Sequence, residues 1–114
     1  KAELERREAL NFPPFAKLLG VRIDSMVEEQ ARLAAHQLAR AAELTIRKQQ
    51  EPLRLLGPAP APLARVRGRF RYQLLLKGRS HKAMAPVVNW MEQVAEKLPN
   101  GVRVTFDVDP VSML

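Results

Sequence analysis

Leu19, Val21 and Ile23 alternate with Gly20, Arg22 and Asp24, and a period of two predicts a half-buried strand. Ser25 followed by Glu28 is a capping-box pattern. After it, Val27, Ala31, Ala34, Leu38, Ala41 and Leu44 or Thr45 recur at helical spacing, which predicts a long helix reaching about Gln49. Pro52 closes that helix, and Leu53 to Gly57 is a short apolar strand candidate. Pro58-Ala59-Pro60-Ala61-Pro62 then alternates proline with alanine. Such a run favours a stiff, polyproline-like connector that cannot sit inside a sheet; it reads as a rigid loop before it reads as a ligand for a proline-recognising partner. Upstream, residues 2–10 form a short helical pattern ended by Asn11-Phe12-Pro13-Pro14-Phe15, because a residue before proline is pushed out of the helical region.

The next strand places Arg65, Arg67, Arg69, Arg71 and Gln73 on one side of an extended chain, and Val66, Gly68, Phe70, Tyr72, Leu74 and Leu76 on the other. One face is basic, the other core. Met84, Val87, Val88, Met91, Val94, Ala95 and Leu98 trace a second amphipathic helix, in which Pro86 must lie in the first turn or produce a kink. Leu98-Pro99-Asn100-Gly101 is a stop and turn. A last strand sets Val102, Val104, Phe106 and Val108 inward against Arg103, Thr105, Asp107 and Asp109, and Pro110 ends it. The order is β-α-β-β-α-β behind a leading helix. It predicts an α+β fold: a four-stranded, mainly antiparallel sheet with two helices on one face, the split βαβ arrangement. Residues 1–15 read as the helix and Pro-Pro linker, and residues 16–114 as a single domain.

Charge changes this picture because of where it lies. The chain of 114 residues carries a formal net charge of +7, yet residues 1–51 contribute +1 and residues 92–114 contribute −2. Residues 52–91 hold eight basic residues and no acidic one. A block without acids is a candidate anion-binding face as well as a solvated surface. Arginines repeating every second residue would put a guanidinium about every 6.6 Å along a strand, suited to gripping a phosphate backbone. Gly78-Arg79-Ser80-His81-Lys82 opens the second helix, and its cations and free backbone N–H groups make a second candidate anion site.

Catalysis fares worse. With no cysteine there is no disulfide scaffold, thiolate nucleophile or ordinary zinc site, and no GxxxxGK[ST] phosphate loop is present. His36 and His81 lack ligand-spaced neighbours. Asp107 and Asp109 share a strand face and could hold a magnesium ion, but pairing with arginines or shaping the turn at Pro110 is the commoner role for such a pair. The longest apolar runs are a few residues, too short to span a bilayer. Catalytic residues, metal ligands and cofactors are therefore assigned to none of these positions. Aromatic residues make up 5%, which argues against a reader that stacks several bases; Tyr72 and Trp90 read as core or rim residues.

Four landmarks in order carry a family resemblance: Phe12-Pro13-Pro14-Phe15, Leu56-Gly57-Pro58-Ala59-Pro60-Ala61-Pro62, Arg67-Gly68-Arg69-Phe70-Arg71-Tyr72-Gln73 and Asp107-Val108-Asp109-Pro110. With these spacings the chain resembles the C-terminal domain of bacterial primosomal protein N′, the replication-restart DNA helicase PriA. Phe70 and Tyr72 stand where that family often has Tyr and Trp. The resemblance implies a fold like that of a small-subunit ribosomal protein and the last domain of a longer, cytoplasmic, nucleoid-associated bacterial enzyme. That parent recognises abandoned replication forks, unwinds DNA 3′ to 5′ with ATP and magnesium, and carries zinc; none of those cofactors is expected in this fragment. Implied partners are single-stranded or forked DNA, single-stranded DNA-binding protein and other primosome proteins, with no membrane. The sequence reading is a noncatalytic DNA-binding and docking domain, with Arg65, Arg67, Arg69, Arg71, Lys77, Arg79 and Lys82 as candidate contacts. Two rivals stay open. The same cations could receive the acidic tail of single-stranded DNA-binding protein or dock on the parent's helicase lobes, and the fold alone would suit an RNA-binding ribosomal-type domain.

Overall fold

The computed structural model describes residues 17–49 and 52–108. The expected leading helix, the Pro-Pro linker and Asp109-Pro110 lie outside the described residues. Six elements follow in order: β1 Lys17–Ser25, α1 Glu28–Ile46, β2 Leu53–Val66, β3 Arg69–Gly78, α2 His81–Ala95 and β4 Arg103–Val108. The strands form one sheet in the order β2-β3-β1-β4, and its three pairings are all antiparallel. The α+β, split βαβ layout expected from the hydrophobic pattern is the one observed.

Alternation along β1 decides which face of the sheet is dry. Leu19, Val21 and Ile23 are buried with Leu74 and Leu76 of β3, and the helices cover them with Ala34, Ala35, Leu38, Ala39 and Ala42 of α1 and Met84, Val87 and Met91 of α2. The alanines let α1 lie close to its neighbours, so the fill comes from Leu38 and the two methionines. The other face of the sheet has no helix upon it among the described residues.

Several local expectations are corrected. Helix α1 starts later than the capping box implies: Val27 is its N-cap and has no side-chain cap bond. Ser25 sits two residues ahead, where its Oγ accepts the Val27 N–H at 3.1 Å and donates to Gln30 Oε1 at 3.2 Å. Val27 therefore stands outside the core, 51% exposed. The helix ends at Ile46 rather than near Gln49. Of the two expectations for Pro86, the first-turn position is not met: it falls in the second turn of α2, and the carbonyl of Lys82 thereby lacks its helical N–H partner. Trp90, expected in the core or at its rim, lies at the rim, 44% exposed.

The larger correction concerns the proline-alanine run, which is strand rather than connector: β2 continues through it to Val66. It can do so because β2 is an edge strand, where a missing N–H costs no ladder bond. The pairing with β3 accommodates the run through irregularities between Leu56 and Ala59 and between Pro60 and Arg65. Gly57 opens the first of these with φ +100° and a cis bond to Pro58. A Cβ at Gly57 would stand 2.7 Å from the Gln73 carbonyl oxygen.

Candidate nucleic-acid interface

The single strand of arginines expected between Arg65 and Gln73 is broken by a hairpin. Arg67 and Gly68 are its two turn residues, with φ of 54° and 81°, the pair of positive values that a tight type I′ hairpin requires. Glycine adopts this region freely, whereas arginine does so at a cost. The turn puts Arg65 on β2 opposite Phe70 and so on the helix-covered side of the sheet. There its guanidinium lies over the Phe70 ring, 4.7 Å from the centroid. Arg65 thus leaves the expected row, and Arg67 occupies the tip.

What the register assembles on the open face is a cluster drawn from several strands. Asp24 of β1 lies between Arg71 of β3 and Arg103 of β4 as their common cross-strand neighbour. Arg22 is two positions back on the same face of β1, and Arg69 two positions from Arg71 on β3. Together with Arg67 and Val66 these residues line a shallow pocket of about 210 Å³. Asp24 is the floor, only 4% exposed. Its Oδ1 accepts the Nε–H of Arg69 at 2.5 Å and lies 3.3 Å from the Nε of Arg103. The Nη2 of Arg69 also donates to the Asp24 carbonyl at 3.3 Å and the Gly101 carbonyl at 3.2 Å. Arg69 thereby ties β1, β3 and the turn before β4 together, so part of its charge is spent on structure. The side chains of Arg22 and Arg67 make no hydrogen bond or ion pair among the described residues. Among the described residues that line the pocket, one carboxylate and five arginines sum to a formal charge of +4.

Of the seven cations expected from sequence, Arg67, Arg69 and Arg71 meet here. Lys77 lies on the same face at the far end of β3, beside Arg54, about 26 Å along the strand from Arg69. Arg79 and Lys82 flank the start of α2 beyond that end, both exposed. The helix start is capped by Ser80, whose Oγ accepts the Ala83 N–H at 3.2 Å. Arg22 and Arg103 are members that sequence reasoning missed. Both stood in outward-facing positions of alternating strands, and only the β1–β3 and β1–β4 registers bring them together. Asp107 is exposed on the open face of β4, across from Gly20.

The groups with shifted acidity lie away from the pocket. The Arg32 hydrogen bond holds the Glu29 carboxyl below its usual value and raises Arg32 in turn. Burial, then the nearby Glu28 carboxylate, raises the Tyr72 hydroxyl, which donates to Glu28 Oε2 at 3.4 Å. Among the described residues no group of three or more His, Cys, Asp or Glu is placed to hold a metal, and no helix is long and apolar enough to cross a membrane.

A family model for the primosomal protein N C-terminal domain matches residues 8–111. This chain belongs to that family. Replication restart protein PriA of Treponema pallidum is 39% identical over 115 residues, covering 98% of this chain and 16% of that protein. Replication restart protein PriA of Synechocystis sp. is 34% identical over 111 residues, covering 97% of this chain and 13% of that protein. The chain therefore spans a small part of the length of the curated relatives it matches. Solved structures share the fold alone. The de novo designed protein Foldit4 superposes with a TM-score of 0.60 at 12% identity, over 82% of this chain and 96% of that one. A designed protein with a ferredoxin fold, LFR1 1, gives 0.55 at 19% identity, over 82% and 84%. In this chain the frame puts the arginine pocket on the sheet face away from the helices, a face that no helix covers among the described residues.

Proposed function

We propose that this domain is the noncatalytic DNA-binding and docking module of a replication-restart protein, and that the open sheet face is its DNA-contacting surface. The observation that carries this reading is the convergence of Arg22, Arg67, Arg69, Arg71 and Arg103 on one pocket. Guanidinium groups pair with phosphate oxygens through charge and forked hydrogen bonds. The family membership and the relatives' names support the replication-restart setting. In that setting, fork recognition and ATP-driven 3′ to 5′ unwinding belong to the whole parent, as do its use of ATP, magnesium and zinc and its meeting with other primosome proteins.

Salt titration tests the DNA contact. If Arg22, Arg67 and Arg71 each meet a phosphate of single-stranded DNA, log affinity against log salt has a slope near about −2.1. A slope close to zero, or affinity unchanged after these three arginines become alanine, rejects the reading. Tighter binding of an acidic peptide than of DNA at the same salt would instead assign the arginines to the tail of single-stranded DNA-binding protein.

A further inference from the structure

We infer that the open-face pocket receives a phosphomonoester, the phosphorylated end of a nucleic-acid strand, rather than the middle of a passing backbone. The inference rests on the DNA-contact reading above and narrows it. A surface that tracks a backbone spaces its cations along a groove. Here they converge instead: Arg71, Asp24 and Arg103 stand abreast on three adjacent strands, which spans about 10 Å at ordinary strand spacing. Arg22 closes one side of that row, and the hairpin, with Arg67 and Arg69, closes the other.

The ligand must bring matching charge to a single point. A phosphodiester offers one negative charge and two free oxygens per phosphate. A terminal monoester carries about −1.5 to −2 charges at neutral pH on three strong acceptor oxygens. The described lining has the complementary form, a net +4 around a space of about 210 Å³. Its one carboxylate is already held by Arg69 and Arg103, so Asp24 fixes the floor while Arg22 and Arg67 keep their donors for a ligand. Val66 supplies an apolar patch of wall, against which a terminal sugar can rest.

The test compares short single strands that differ only in carrying a 5′-phosphate, a 3′-phosphate or hydroxyl ends, bound to the 114-residue chain at one fixed low salt concentration. A terminal phosphate should tighten binding about tenfold, the worth of one added charge-assisted hydrogen bond. The double variant Arg22→Ala/Arg67→Ala should bring the phosphorylated strand down to the hydroxyl-ended one with the melting temperature nearly unchanged. Should that variant fail to fold, Arg22→Ala/Arg67→Asn, which keeps a residue suited to the turn, carries the same comparison. Equal affinities for all ends overturn the inference and leave DNA contact standing, whereas absent binding of every strand overturns the reading beneath it. Displacement of the phosphorylated strand by an equal concentration of a nucleoside monophosphate would give the pocket to a free nucleotide and overturn the strand-end assignment.

Discussion

The buried Asp24 carboxylate and the partly exposed Arg69 guanidinium form an ion pair on the open sheet face, joining β1 to β3 through Oδ1 and Nε. Arg103 approaches the same oxygen from β4 but is itself 65% exposed. The two partners therefore differ in what their removal leaves behind.

Arg69→Ala strands a buried carboxylate with only an exposed arginine to answer it. We expect a loss of about 2–4 kcal/mol of stability in denaturant unfolding. Asp24→Asn leaves the bonds from Arg69 to the two carbonyls in place and should cost about 1–2 kcal/mol. The same change removes the one negative charge among the described residues lining the pocket, so affinity for a short single strand should rise as stability falls. A fall in both would mean that Asp24 acts on binding chiefly by holding the arginines in place.

Arg67 occupies a left-handed turn position that asparagine tolerates better. Arg67→Asn should raise the unfolding free energy by up to about 1 kcal/mol while weakening DNA binding and making the salt slope about 0.7 less negative. Opposite signs in the two measurements would identify Arg67 as a residue kept for binding against the preference of its own backbone. Unchanged DNA affinity would leave its conformation without that explanation.

Gly57→Ala meets two obstacles at once, a φ of +100° and a Cβ 2.7 Å from the Gln73 carbonyl oxygen. Neither is relieved by a side-chain rotation, since the atom it meets is backbone. The expected cost is about 2–3 kcal/mol or more. At Gly68 the same substitution meets only the Met26 side chain, Cε at 3.5 Å and Sδ at 3.9 Å, ordinary contacts, so its cost is conformational alone and should be about 1–2 kcal/mol. Thermal melts of the two variants side by side check that order.

Leu38→Ala removes the largest α1 side chain in a core otherwise lined there by alanines. No neighbour on that helix is long enough to fill the space, and the loss should be about 3–5 kcal/mol by urea unfolding.

Which parts of this were legible in the residues follows from the range of the interactions. Periodicity is local, so β1, both helices and β4 could be read directly, and the order of elements then left few ways to close the sheet. The proline-alanine run misled because proline excludes a strand only where its N–H would face a partner, and which strand lies at an edge is a fact about topology. The arginine row misled for a related reason. Alternation continues in register across a two-residue turn as if the chain were straight, and Arg67-Gly68 lacks the Asn or Asp that usually marks such a turn. Arg22, Asp24 and Arg103 were each correctly placed as outward-facing, but nothing near them in sequence could show that two separate pairings would bring them together.

The three prolines of β2 have a further consequence at the level of assembly. A sheet edge with free N–H groups in sequence is a template on which another chain can crystallise its own backbone, and Pro58, Pro60 and Pro62 delete those donors one after another while the irregular pairing bends the strand out of line. The edge next to the arginine hairpin is thereby made a poor template for strand-by-strand growth.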